Sequence, residues 1–195
     1  ELCLELDELA LDFYSQLSVA AGNEELSEFW KALARDEGRH IRFWKKALEV
    51  VGEVELPRIF DDADRVETEL RRALTRGREL IEECGDLRSI RDCFAATYRL
   101  EFYFLHPMMA QLFRLLGDSA GVPDMEREYD EHVERYVTGL ARFGEVTPEM
   151  ELLSETIRNL WSRNRQLSHE ATTDPLTGAM NRRAFFVIAT HVAYL

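Results

Sequence analysis

The chain has 195 residues, 46% hydrophobic and 31% charged, and its 24 Lys and Arg against 37 Asp and Glu give a formal charge of −13. That balance suits a globular core under an acidic surface, and with no stripe gathering the arginines it argues against a nucleic-acid partner. No apolar run reaches the roughly 18 to 20 residues needed to span a bilayer, and the first residues lack the basic-then-apolar pattern of a secretory signal, so the expected location is cytoplasmic with no membrane partner.

Helix-forming residues dominate, and Gly or Pro punctuates them at Gly22, Gly52 with Pro57, Gly85, Gly117 to Pro123, and Gly144 to Pro148. Hydrophobic periodicity predicts helices over 2–21, 24–51, 64–83, 87–116 and 123–143, and a last one from about 148. Short turns join 2–21 to 24–51 and 87–116 to 123–143, which predicts two antiparallel hairpins with 64–83 as the crossover between them. The expected fold class is all-α, a four-helix bundle with a crossover helix. The crossover stripe is Val66, Leu70, Ala73, Gly77, Leu80 and Cys84, and its many arginines read as a solvated face. Cys3, Cys84 and Cys93 include no C-x-x-C pair and read as core thiols.

Polar residues interrupt the apolar seams. In 24–51 the alternating steps of four and three give Leu26, Trp30, Leu33, Glu37, His40, Trp44, Ala47 and Val51. In 87–116 they give Phe94, Tyr98, Glu101, Leu105, Met108, Leu112 and Leu115. The face of 123–143 is Met125, Tyr129, His132, Tyr136 and Leu140, with Glu128 one turn before His132. In the first helix Glu8 lies between Leu4 and Leu11, and a hairpin about Gly22 sets it level with Glu37, with Glu5 level with His40.

An ionised carboxylate buried without a partner costs several kcal/mol, and one in each of four core stripes would defeat a core of this size. Two iron ions compensate well, because carboxylates bridge and neutralise them while each imidazole supplies a nitrogen. Glu8, Glu37, His40, Glu101, Glu128 and His132 make a set of four carboxylates and two histidines, the expected metal ligands. The alternative is that these side chains reach the bundle edge or pair with arginines such as Arg35, Arg39 or Arg99. His106 falls off the seam and reads as a satisfied helix histidine; His169 and His191 lie outside the bundle.

Residues 1 to about 145 resemble a ferritin-like domain of the rubrerythrin type, through "ELALDFY", "FWKALARDEGRH", "YRLEFY" and "EYDEH". The resemblance implies a non-haem di-iron centre reacting with dioxygen or peroxide, with Glu8 and Glu101 as lone helix carboxylates and Glu37 with His40 as the first E-x-x-H. Manganese is the alternative metal. This sequence departs from the pattern at Tyr129, three residues before His132, where the nearest carboxylates are Glu128 and Glu131. Either Glu5 or Glu131 is open as a replacement ligand. The rubredoxin-like cysteine module of full rubrerythrins is absent from these residues.

After Thr147 and Pro148, which suit a helix start, Met150, Leu153, Ile157, Leu160, Asn164, Leu167 and Ala171 keep three-four spacing with one Asn in the seam. That pattern predicts a parallel coiled coil and a homodimer; packing of this helix back on its own bundle is the alternative. The following "DPLTGAMNRRAF", Asp174 to Phe185, resembles the start of a GGDEF domain, the diguanylate cyclase module that makes cyclic di-GMP. The expected organisation is a ferritin-like di-iron sensor over 1–146, a signalling helix over 147–173, and the first part of a GGDEF domain over 174–195. The implied function is sensing of oxygen, peroxide or redox state to regulate the cyclase. A rubrerythrin-like peroxidase or oxidase and a metal-free dimerisation module are the rival expectations.

Overall fold

The computed structural model describes residues 1–52, 60, 62–83, 89–116, 124–143 and 147–192. The predicted turn residues at Pro57, Gly85, Gly117 to Pro123 and Gly144, together with Cys84 and the side chains of Val51, Met150 and His191, lie outside the described residues. The described elements are all helical: α1 (Leu2–Ala20), α2 (Glu24–Gly52), α3 (Ala63–Glu83), α4 (Ile90–Phe104), α5 (Pro107–Leu116), α6 (Met125–Phe143), α7 (Pro148–Thr172) and α8 (Arg182–Val192). None of them is long and apolar enough to cross a membrane.

Side chains at the helix starts take up backbone N–H groups that the first turn leaves unpaired. Asn23 Oδ1 accepts from Leu26 N at 2.8 Å, Asp62 Oδ1 from Arg65 N at 2.9 Å, Ser89 Oγ from Asp92 N at 3.1 Å and Asn181 Oδ1 from Ala184 N at 2.9 Å. The α1–α2 hairpin is the most extensive pairing in the fold, and α3 crosses over to pack on α1 and α4. α2 packs on α6, and α7 lies against α5 and α6. The core between these helices is rich in aromatic rings. Trp30, Phe29 and Phe94 form one cluster, and Phe43, Trp44 and Phe113 a second. Each such side chain withdrawn from water contributes roughly 1.5 to 3 kcal/mol.

α2 and α6 approach closely because Gly139 has no side chain. A Cβ added there would meet Phe29 Cε2 at 2.0 Å. That ring cannot swing away cheaply, being packed on Trp30, Phe94 and Phe143 at centroid distances of 4.7, 5.7 and 5.5 Å. Gly139→Ala is therefore expected to destabilise the fold by about 1 to 3 kcal/mol, as overpacking does, read as a lower midpoint in chemical denaturation.

The predicted helix 87–116 is two helices. Pro107 carries no N–H and its ring opposes continued α geometry in the residue before it, so the chain breaks at Leu105 and His106. His106 occupies the break: its Nδ1 accepts from Met108 N at 3.2 Å and its Nε2 lies 3.0 Å from Glu69 Oε2. Met109 N turns to the His106 carbonyl at 2.9 Å, and the Leu105 carbonyl receives Asn164 Nδ2 of α7 at 2.9 Å instead.

That bond defines how α7 sits. Its buried face is Ile157, Trp161, Asn164, Ser168 and Thr172, turned inward on its own bundle. Of the predicted seam, Ile157 and Asn164 are buried, Leu153 and Leu160 are half-buried, and Leu167 and Ala171 are exposed. After α7 the "DPLTG" turn closes as expected from Pro175 and Gly178. Asp174 Oδ1 accepts from Leu176 N at 3.2 Å and from Thr177 N at 2.9 Å, and Gly178 takes a φ of 70°, a conformation that favours glycine.

Candidate metal centre

α2 supplies Glu37 and His40, buried in the same seam as Trp30, Leu33 and Trp44. Facing them are Asp7 of α1, Glu101 of α4 and His132 of α6, each 2% exposed or less. Ligand-type atoms of Asp7, Glu37 and His40 lie within 4.8 Å of one another, as do those of Glu37, Glu101 and His132. The buried side chains can thus hold a metal ion in either group, and Glu37 belongs to both.

Within the cluster His40 Nδ1 lies 3.1 Å from Glu37 Oε2, and His132 Nε2 lies 3.1 Å from Glu101 Oε1 and 3.5 Å from Glu37 Oε1. Surrounding residues fix these groups in place. Trp44 Nε1 donates to Asp7 Oδ2 at 2.7 Å, and the Tyr14 hydroxyl donates to Glu101 Oε1. Asp36 Oδ2 stands 3.4 Å from His132 Nδ1 and accepts from Arg135 Nε at 2.9 Å, while Arg39 donates to its other oxygen. At that distance Asp36 acts on His132 through its charge, which favours the imidazolium. The Tyr129 ring packs against both histidines, 5.1 Å from His40 and 5.5 Å from His132 between centroids.

The donor set suits a metal ion. His40 Nε2 and His132 Nδ1 are both buried without a hydrogen-bond partner, whereas buried ring nitrogens are normally paired. Carboxylate oxygens beside imidazole nitrogens suit iron, manganese or zinc.

Of the six predicted ligands, the structure brings Glu37, His40, Glu101 and His132 together and leaves Glu8 and Glu128 outside. The Glu8 side chain is 48% exposed and pairs with Lys45 at 3.3 Å; Glu128 receives Arg39 Nε at 2.9 Å at the bundle edge. Glu5 pairs with Arg78 and Glu131 with Arg127, both near the surface. The buried carboxylate of α1 is Asp7, because the inward stripe of that helix is Cys3, Leu6, Ala10, Phe13 and Leu17, one residue out of phase with Leu4, Glu8 and Leu11. That stripe is readable in the sequence and marks Asp7. Asp36 left a weaker trace, since a residue next to Glu37 falls just beside the seam.

By themselves these side chains share charge through retained protons. Burial pushes Asp7 well up, helped by the charge of Glu37, and burial carries Glu37 to about 8. Burial takes His40 down to about 4. Burial also disfavours the His132 cation, but Glu101 and Glu37 outweigh it and lift the imidazole well above its ordinary value. For Glu101, burial is outweighed by His132 and by the hydrogen bonds from His132 and Tyr14, so it is held down as an ion.

Metal binding near pH 7 therefore competes with the proton that Glu37 retains, and the upward shifts of Asp7 and His132 act in the same direction. The sign follows: protons compete with the cation, so affinity rises with pH, and the Glu37 contribution levels off above about 8. Isothermal titration in buffers of differing ionisation enthalpy is expected to show proton release on loading; unchanged heats across buffers would contradict it.

Comparison of the sequence with models of known protein families gives no match, and comparison with curated proteins gives none.

Proposed function

We propose that residues 1–146 form a ferritin-like di-iron sensor of oxygen, peroxide or redox state. Residues 147–173 are then the signalling helix and 174–195 the first part of a GGDEF diguanylate cyclase domain, in a cytoplasmic homodimer. The observation that carries the reading is the buried cluster in which Glu37 is common to two three-residue groups. Asp7, Glu37 and His40 would hold one ion and Glu37, Glu101 and His132 the other. Bound iron supplies a redox couple open to dioxygen or peroxide; manganese would supply a different potential on the same ligands.

The chain's own residues do the rest. Trp44 orients Asp7 and Tyr14 orients Glu101 through hydrogen bonds, and Asp36 holds its charge against the His132 ring at 3.4 Å. Tyr129 and Phe113 line the side of the cluster toward α7, their rings 5.5 Å apart, and exclude water there. Along α7, Leu153, Leu160 and Leu167 recur every seven residues beside the buried face, which supports pairing with a second copy. The sequence from Asp174 to Phe185 supports the cyclase reading, and its turn fastens to the end of α7 through Asn181 N to Thr172 O at 2.9 Å.

The test is the rate of cyclic di-GMP formation by a chain continuing through the whole cyclase domain, with metal bound, in air and without oxygen. Unequal rates are expected; equal rates contradict sensing. A second reading has an observation of its own: cationic His132 pairs with Glu101 while Asp36 pairs with Arg39 and Arg135, so the buried charges balance without metal. A metal-free dimerisation domain follows if reconstitution leaves iron far below one ion per chain.

A further inference from the structure

Two successive inward residues of α7 reach the cluster from different sides. Trp161 packs on Tyr129 at 4.4 Å between ring centroids, and Tyr129 in turn packs on both His40 and His132. Asn164, one turn further on, donates to the Leu105 carbonyl, and Leu105 N donates to the Glu101 carbonyl at 3.0 Å. One α7 side chain is thus a single ring away from two of the histidines, and the next is two hydrogen bonds away from the backbone of Glu101. Asp130 of α6, beside Tyr129, locks the arrangement by accepting from Trp161 Nε1 with one oxygen and from Arg165 with the other.

Trp161 and Asn164 are 3% and 2% exposed, so these contacts are made in the core. Aromatic packing and a buried hydrogen bond transmit small displacements because close-packed interiors have little slack. The break at Leu105 and His106 frees the Leu105 carbonyl from the helical ladder, and Asn164 of α7 takes it.

We propose that α7 is a wall of the metal centre, with Trp161 and Asn164 as positioning residues, so that metal loading and α7 docking form one linked equilibrium. This rests on the metal reading and adds the route by which the site is read out. Linkage makes the coupling reciprocal: if the docked helix improves ligand geometry, loading tightens the docked helix by the same factor. Tyr129 then has a use at a position where the resemblance would place a carboxylate, since its ring connects the histidines to α7.

The test uses the full 195-residue chain and cobalt(II), whose visible bands report ligand geometry. Loading is expected to slow amide exchange in residues 157–168 of α7 about tenfold or more in the unaltered chain. In Tyr129→Leu at equal cobalt content that response should shrink, and in Tyr129→Leu with Asn164→Ala, which removes both routes, it should disappear. Trp161→Ala is expected to weaken cobalt binding by roughly ten- to a hundredfold, the range seen for residues that orient ligands, and to change the cobalt spectrum. Trp161→Phe, which keeps a ring against Tyr129, should restore most of both. A merely structural role would lower stability without altering the spectrum of the cobalt that remains bound.

The proposal is overturned if cobalt binds the unaltered chain while α7 exchange stays the same, or if Trp161→Ala binds cobalt with unaltered affinity and spectrum. Failure of the unaltered chain to bind cobalt would overturn the metal reading and this proposal together.

Discussion

Replacing Glu37 with Gln is expected to abolish metal binding at both three-residue groups while leaving the metal-free fold nearly unchanged. Glu37 is the residue common to both three-donor groups, so its loss reduces each to two donors. A carboxamide has the same shape but carries no charge and bridges cations poorly. In the metal-free chain burial already holds the Glu37 carboxyl at about 8, largely protonated at pH 7, so Gln replaces one neutral group with another. The expected change in metal-free stability is within about 1 kcal/mol, the scale of one adjusted hydrogen bond. Asp7→Asn serves as the comparison because Asp7 belongs to one group only, and that variant should retain one ion. Elemental analysis after anaerobic reconstitution measures both; two ions in Glu37→Gln would contradict a shared ligand.

Asp36→Ala is expected to behave in the opposite way, with a large loss of stability and a smaller loss of metal. Asp36 is 2% exposed and faces His132, Arg39 and Arg135. Burial alone would raise its carboxyl, but the hydrogen bonds and charges of His132 and Arg135 prevail and hold it at about 2, against an ordinary 3.8. A lowered value of this kind contributes stability in full above 3.8 and loses it as pH falls through 2. At pH 7 the contribution is therefore fully present, and the shift corresponds to about 2 kcal/mol. Alanine also leaves the buried His132 cation without one of its three carboxylate neighbours, so the total expected cost is about 3 kcal/mol in chemical denaturation. Metal affinity should fall roughly ten- to a hundredfold as the His132 ring loses its support. A variant as stable as the parent at pH 7 would show that the arginines and His132 are satisfied elsewhere.

Much of this site is readable in the sequence where a helix carries one uninterrupted seam. In α2 the four-three steps from Leu26 to Ala47 place Glu37 and His40 in the core, and the structure buries every one of those residues. The same count reaches Glu101 and His132. In α1 two candidate stripes differ by a single residue, about 100° around the helix, and the correct one is marked by Leu6, Ala10 and Phe13. Glu128 shares a face with His132 by spacing, but Arg39 from α2 holds it at the edge, and such a contact between distant segments leaves no local pattern. The break in 87–116 is written in Pro107. Its consequence, a carbonyl taken by Asn164 of α7, depends on packing between helices and gives that Asn a role within its own chain.

The central claim is that Asp7, Glu37, His40, Glu101 and His132 together hold two redox-active ions. The most direct measurement is iron content with absorption spectra of the purified chain, first reduced without oxygen and then exposed to air. The account predicts two irons per chain and a near-ultraviolet absorption that appears on exposure to air and is absent from Glu37→Gln. Iron well below one per chain after reconstitution, or a spectrum unchanged by that substitution, would contradict it.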